Sequence, residues 1–270
     1  YNKPRIYYPL STLMLAGINE ILIIITMEDQ NNYKRLLGDG SKFGLILKYE
    51  IQNEPNGIAE ALEIGRDFIQ DHNFCLILGD NIFYGPQLSK KLINAKEAVQ
   101  NGDSVIFAYH VNDPERFGVV EIDSEDNAIN LEEKPSEPKS NYAVTGLYFY
   151  NNKVLNYHVN MEPSKRGELE ITDINKKILE VKQLKVQLLG RGFAWFDCGT
   201  VDSLYDANQF VQSIEKTQGF KIACLEEISI NNKWISRESI TDKYKNELMQ
   251  ICIEVSEVKR AASYFINTII

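Results

Sequence analysis

At 270 residues the chain is long enough to bury one large α/β core, and 44% apolar with 25% charged residues is the balance of an ordinary globular protein. A net charge of −9 excludes the basic footprint that non-specific nucleic-acid binding requires, and no apolar run approaches the roughly 18 residues of a membrane span. Four cysteines without a CxxC pair speak against a zinc site or a disulfide framework and fit a reducing, cytoplasmic setting.

The chain opens at Tyr1 and moves at once into a helical pattern over residues 4–16, with Ile6, Leu10, Leu13 and Met14 on one face and Ala16-Gly17 as the stop. Pro4 suits a first turn, whereas Pro9 delays or kinks the helix. An α/β domain ordinarily begins with a strand, so a strand is expected upstream of Tyr1. Residues 20–26 form a β-branched run, hence a buried strand; 29–37 reads as helix and 45–51 as strand. The turn-rich stretch from Gln52 to Gly57 leads into a helix over 58–69, with Asn56 as its N-cap.

The apolar run 74–79 is a buried strand that ends at Gly79 and presents a carboxylate, Asp80. A helix over 86–99 and a strand over 104–110 continue an alternation that favours parallel crossovers. From Gly118 the texture changes. Residues 119–123 and 128–133 flank a turn, and 142–150 is a third strand rich in aromatic residues. Helices at 151–160 and 170–181, a strand at 184–189 and a long helix over 201–217 follow. The expected fold is α/β and Rossmann-like, with a mostly parallel central sheet, helices on both faces and an inserted antiparallel, substrate-covering subdomain. Residues 1–220 would form the catalytic domain, with the insertion at about 118–190, and 221–270 a peripheral, mostly helical segment.

Ligands of open α/β sheets sit beyond the carboxyl ends of the strands. Asp80 occupies such an end, and a second apolar-to-acid junction, Trp195-Phe196-Asp197, lies far downstream. Two carboxylates plus substrate phosphates are a common way to hold Mg²⁺. The competing role for each is capping the helix that follows. Lys134, stopped at a strand tip by Pro135, can act as a point charge on phosphate or pair with Glu132 or Glu133. Arg166 precedes a helix and can reach a phosphate or lie in a surface turn. Gln52 and Gly57 form a candidate base pocket, because a side-chain amide both donates and accepts. His72, His110 and His158 stand apart from any serine or cysteine nucleophile and read as structural or surface residues.

The combined motifs identify a resemblance. Leu78-Gly79-Asp80-Asn81-Ile82-Phe83-Tyr84-Gly85, Leu131-Glu132-Glu133-Lys134-Pro135, Asn141-Tyr142-Ala143-Val144-Thr145-Gly146 and Arg166-Gly167-Glu168-Leu169-Glu170-Ile171-Thr172-Asp173 resemble the glucose-1-phosphate thymidylyltransferases. So do the run from Tyr7 to Gly17 and the run from Phe107 to Val120. The resemblance extends from residue 1 to about 227.

It implies a Mg²⁺-dependent reaction of dTTP with glucose 1-phosphate that gives dTDP-glucose and pyrophosphate. It assigns the metal to Asp80 and Asp197, the sugar phosphate to Lys134 and Arg166, thymine to Gln52 and Gly57, and the sugar to Gly118, Glu133 and Val144. A homotetramer inhibited by dTDP-rhamnose is also implied. Phe117 stands where the family has tyrosine and Leu225 where it has proline. The family's triphosphate-cradling Gly-rich loop is expected upstream of Tyr1. A non-catalytic sugar-nucleotide-binding remnant is the alternative.

Overall fold

The computed structural model describes residues 2–158, 161–239 and the backbone of 268–269. The first helix, α1 (Tyr7–Leu15), is followed by β1 (Glu20–Ile25), α2 (Gln30–Leu37) and β2 (Ile46–Ile51). Because α1 starts at Tyr7, Pro9 falls in the first turn, where its missing N–H has no intrahelical acceptor to disappoint. The helix ends as its sequence predicts, with Gly17 at φ +70° and the Ile18 N–H donating to the Leu13 carbonyl.

Two short helices, α3 (Glu60–Ile64) and α4 (Arg66–Ile69), stand where one was expected, separated at Gly65. Asn56 caps neither: the residue before α3 is Ala59, and the Asn56 amide donates instead to the Glu60 carboxylate at 2.9 Å. Next come β3 (Phe74–Leu78), β4 (Asn81–Tyr84), α5 (Leu88–Gln100), β5 (Ser104–His110), and the hairpin of β6 (Gly118–Ile122) and β7 (Ala128–Glu133). The chain continues through β8 (Tyr142–Tyr150), α6 (Leu155–His158), α7 (Ile171–Glu180), β9 (Leu184–Leu189), β10 (Ala194–Asp197), α8 (Val201–Gln218), α9 (Leu225–Asn231) and β11 (Thr268–Ile269).

The central sheet has the order β2-β1-β11-β3-β8-β5-β9 and is mixed, which corrects the expectation of a mostly parallel one. Its parallel pairs are β1 with β2 and β5 with β9; β8 is antiparallel to both β3 and β5, and β11 to both β1 and β3. The physical source of the misreading is β8. An apolar run buried on both faces has the same composition whichever way the strand points. Residues 142–150, expected in the inserted group, therefore run through the middle of the main sheet and pair with the hairpin at Val119↔Ala143. β1, β2, β3, β5 and β9 still point the same way, so their carboxyl ends share one edge. Beyond α9, residues 240–267 of the expected helical segment lie outside the described residues.

Alternate residues of each strand feed different cores. Ile21, Ile23, Ile25, Cys75, Ile77, Val105 and Phe107 pack with α1, α5 and α9 on one face. Leu22, Ile24, Leu76, Ile106 and Ala108 pack with α3, α4, α6 and α7 on the other. That double burial is why the strands read as continuous apolar runs, and it puts helices on both faces. A third cluster, with Tyr8, Ile82, Cys198, Ala207 and Val211, seats α8 against the β4–β10 ribbon.

Candidate active site

Asp80 follows β3, and the residue after it begins β4, a strand that sequence reading did not assign. β4 pairs antiparallel with β10 so that Asn81 stands opposite Asp197. The Cys198 N–H donates to the Asp80 carbonyl at 2.9 Å. These backbone contacts bring Asp80 and Asp197 side by side over Gly199, where a Cβ would lie 3.4 Å from Asp197 Oδ1 and 4.0 Å from Asp80 Oδ2. Neither carboxylate caps a helix. The residue ahead of α5 is Gln87, and α8 is capped by Thr200, whose hydroxyl accepts from the Ser203 N–H within a capping box.

Burial pushes the Asp197 carboxyl up to about 6; the adjacent Asp80 charge adds to the rise, and the Arg116 guanidinium opposes it. Two apposed carboxylates that resist ionising together suit a divalent cation, which removes the repulsion. Among the described residues no group of three or more His, Cys, Asp or Glu is placed to hold a metal. The pair would therefore supply two oxygen ligands and leave the other positions to water and phosphate oxygens, the coordination Mg²⁺ favours.

Asn81 joins the parts. It is 1% exposed, and its amide donates to Asp80 Oδ1 at 2.8 Å while its carbonyl oxygen accepts from Trp195 Nε1 at 2.6 Å and the Gly146 N–H at 3.0 Å. The Trp195 ring is packed against Phe117 at 5.2 Å and Tyr109 at 6.0 Å. Phe117 also carries the Arg116 guanidinium 5.2 Å above its ring.

A second cluster forms where the hairpin meets α7. Gly118, the first residue of β6, pairs with Glu133, the last of β7. A Cβ on Gly118 would stand 3.0 Å from Thr172 Oγ1, 3.1 Å from Glu133 Oε2 and 4.0 Å from the Val144 Cβ. The Thr172 hydroxyl donates to Glu133, whose carboxyl is raised by burial. Arg166 lies across this group, 3.6 Å from Glu133, 2.9 Å from Glu168 and 3.4 Å from Glu170. Lys134 is exposed at φ +43°, its N–H donating to the Phe117 carbonyl at 3.0 Å. It has no ion-pair partner within 4 Å among the described residues, so pairing with Glu132 or Glu133 does not occupy it.

Burial first, then the charges of Glu133, Asp80 and Asp197, push Tyr148 upward, so all three acids lie within electrostatic reach of one buried hydroxyl. Gln52, buried after β2, donates from Nε2 to the Glu60 carboxylate at 2.6 Å and to the Gly57 carbonyl at 3.4 Å. Gly57, at φ +108°, lies against the backbone of Leu169, three residues from Arg166. The sequence-predicted residues thus fall into three adjoining groups: Asp80 with Asp197; Gly118, Glu133, Val144, Lys134 and Arg166; and Gln52 with Gly57.

The three histidines stay apart, His110 against the Tyr142 ring and His158 beside Glu63. Sequence reading gave no role to Asn81, Trp195, Thr172, Tyr148 or Arg116. Asn81 and Trp195 stood in the quoted motifs, but nothing local shows which carboxylate an amide 114 positions from an indole will serve.

The sequence model of the Nucleotidyl transferase family matches residues 1–214. The chain belongs to that family. It is 52% identical over 246 residues to the glucose-1-phosphate thymidylyltransferase of Neisseria gonorrhoeae, covering 91% of this chain and 85% of the relative. Against the enzyme of the same name from Mycolicibacterium smegmatis, identity is 50% over 248 residues, covering 92% and 85%. A crystal structure from Bacillus anthracis, assigned as a glucose-1-phosphate thymidylyltransferase in complex with sucrose, superposes with a TM-score of 0.69 at 39% identity, covering 77% of this chain and 82% of that one. A UDP-glucose pyrophosphorylase with UDP-glucose bound, 22% identical, has the same fold at a TM-score of 0.67, covering 78% and 88%. Nucleotidyltransferase chemistry is the family's activity, and the chain is an enzyme of that class. Among the described residues no helix is long and apolar enough to cross a membrane.

Proposed function

We propose that the chain joins dTTP to glucose 1-phosphate, forming dTDP-glucose and releasing pyrophosphate. The observation that carries this reading is the apposed pair Asp80 and Asp197 next to a cluster with two cations, Lys134 and Arg166, and the polar groups of Glu133 and Thr172. A phosphate oxygen of glucose 1-phosphate attacks the α-phosphorus of dTTP, a new O–P bond forms, and the bond from the α-phosphorus to the bridging oxygen breaks as pyrophosphate leaves. Mg²⁺ held by Asp80 and Asp197 would offset negative charge on the α-phosphate, lowering the cost of bringing a second anion to it.

The residues of the chain do the positioning. Lys134, free of a carboxylate partner, holds the attacking phosphate as a point charge, with Arg166 on its other side. Glu133 and Thr172 meet sugar hydroxyls over Gly118, where the missing side chain leaves room, and Val144 forms the apolar floor. With both Nε2 contacts used internally, Gln52 presents Oε1 as an acceptor for the imide N–H of thymine, and Gly57 lets the backbone come close. Uracil carries the same imide, so dTTP is separated from UTP by the thymine methyl group, worth about 1–3 kcal/mol, and by the 2′-hydroxyl that only UTP carries.

The same family reading supports a homotetramer, inhibition by dTDP-rhamnose, a place in dTDP-rhamnose and cell-surface polysaccharide synthesis, and a cytoplasmic setting. Pyrophosphate release from dTTP plus glucose 1-phosphate, with and without Mg²⁺, tests the reaction. Release that needs Mg²⁺ and disappears in Asp197→Asn supports it. Unchanged release in the variant overturns the metal assignment, and dTDP-glucose binding without any release points to a sugar-nucleotide-binding protein instead.

A further inference from the structure

We propose that Asn81 is the positioning residue of the carboxylate pair, fixing which oxygen of Asp80 faces Asp197. The inference rests on the reading of Asp80 as a metal ligand and adds how that ligand is held.

The argument begins with the amide's orientation. The Asn81 carbonyl oxygen receives two N–H donors, from Trp195 at 2.6 Å and from Gly146 at 3.0 Å. Turning the amide over would aim its NH₂ at both donors and leave all of them unpaired in a buried position. The NH₂ therefore faces Asp80, where it donates to Oδ1 at 2.8 Å. With Oδ1 engaged, Oδ2 is the oxygen beside Asp197 Oδ1 over Gly199.

The anchors are themselves rigid. Trp195 is a β10 residue wedged between two aromatic rings, and Gly146 lies inside β8. A side chain at Gly146 would meet Asn81 Cγ at 2.9 Å and Leu78 Cδ1 at 2.7 Å, so the glycine is what allows β8 to approach. Asn81 thereby refers the Asp80 carboxylate to the strand carrying Asp197 and to the central sheet at once. Because the donor is neutral, it orients Asp80 without cancelling the double negative charge a cation needs. A lysine or arginine in this place would orient Asp80 equally well and compete with the metal.

The test is Mn²⁺ binding in the presence of dTDP-glucose, read from loss of the free-ion EPR signal, for the wild type and for Asn81→Ala, Trp195→Phe and Asp80→Asn. Asp80→Asn is expected to abolish Mn²⁺ binding. Asn81→Ala should weaken it about tenfold, and Trp195→Phe, which keeps an aromatic ring but drops one anchor, about threefold. Turnover should fall in the same order, with KM for glucose 1-phosphate within twofold of wild type. Wild-type Mn²⁺ affinity in Asn81→Ala would overturn the inference, as would a raised KM for glucose 1-phosphate with unchanged Mn²⁺ affinity, which would make Asn81 a sugar contact. Trp195→Phe supplies the same reading if Asn81→Ala does not fold. Mn²⁺ bound normally by Asp80→Asn would remove the metal-site reading itself.

Discussion

The Cα of Gly57 lies so close to Leu169 that a Cβ there would stand 2.5 Å from its carbonyl oxygen and 2.6 Å from its nitrogen. The Leu169 N–H also donates to the Asn56 carbonyl at 2.7 Å, and its own carbonyl accepts from Ala59 at 3.2 Å. The loop beside Gln52 and the segment carrying Arg166 are therefore one unit. Gly57→Ala must relieve both this collision and a φ of +108°, at a cost of about 3 kcal/mol. Urea denaturation should show that loss, and KM for dTTP and for glucose 1-phosphate should rise together. A change in only one KM would separate the two loops.

Asp197 predicts an inverted pH dependence in the metal-free protein. Its carboxyl is raised from 3.8 to about 6, so between those values the native state binds more protons than the unfolded chain. Stability from this group is greatest below pH 4, falls as pH rises toward 6 and stays low above it. Two pKa units correspond to about 3 kcal/mol, trimmed to about 2 by partial solvent access. Asp197→Asn should accordingly melt higher than wild type at pH 7.5 without metal, and show no advantage below pH 4. Added Mg²⁺ should raise the melting temperature of the wild type only.

Lys134 couples strain to function. At φ +43° a side chain costs on the order of 1 kcal/mol that glycine avoids. Lys134→Gly should be as stable as the wild type or more so, yet lose at least about 100-fold in kcat/KM through the missing phosphate contact. Thermal melts paired with steady-state kinetics check this. A variant that loses stability and activity in proportion would show that the lysine is structural.

Gly118→Ala places a methyl group 3.0 Å from the Thr172 hydroxyl and 3.1 Å from Glu133. Both neighbours must give by a few tenths of an ångström, which disturbs the sugar groups more than the fold. KM for glucose 1-phosphate is expected to rise roughly tenfold, with KM for dTTP unchanged and a melting temperature within about 3 °C of wild type. Kinetics with each substrate varied in turn distinguish this from general damage.

Most of the elements and their chemistry were legible in one dimension. The strand over 184–189 and the helices around Asp29–Leu37, 170–181 and 201–217 lie where periodicity and stop signals put them, because those signals are local. The sequence also nominated Asp80 and Asp197, since a carboxylate that ends an apolar run stands out in one dimension. Strand direction was not legible: β8 is buried on both faces, so its composition carries no sign of running against β3 and β5. Nor was β4, whose partner lies more than a hundred residues downstream. Tertiary structure alone decided that the two aspartates meet, that Thr172 serves Glu133, and that Asn81 is held by an indole from one strand and a backbone N–H from another. Each of those facts depends on register between distant strands, which shifts every side chain to the opposite face if it slips by one residue.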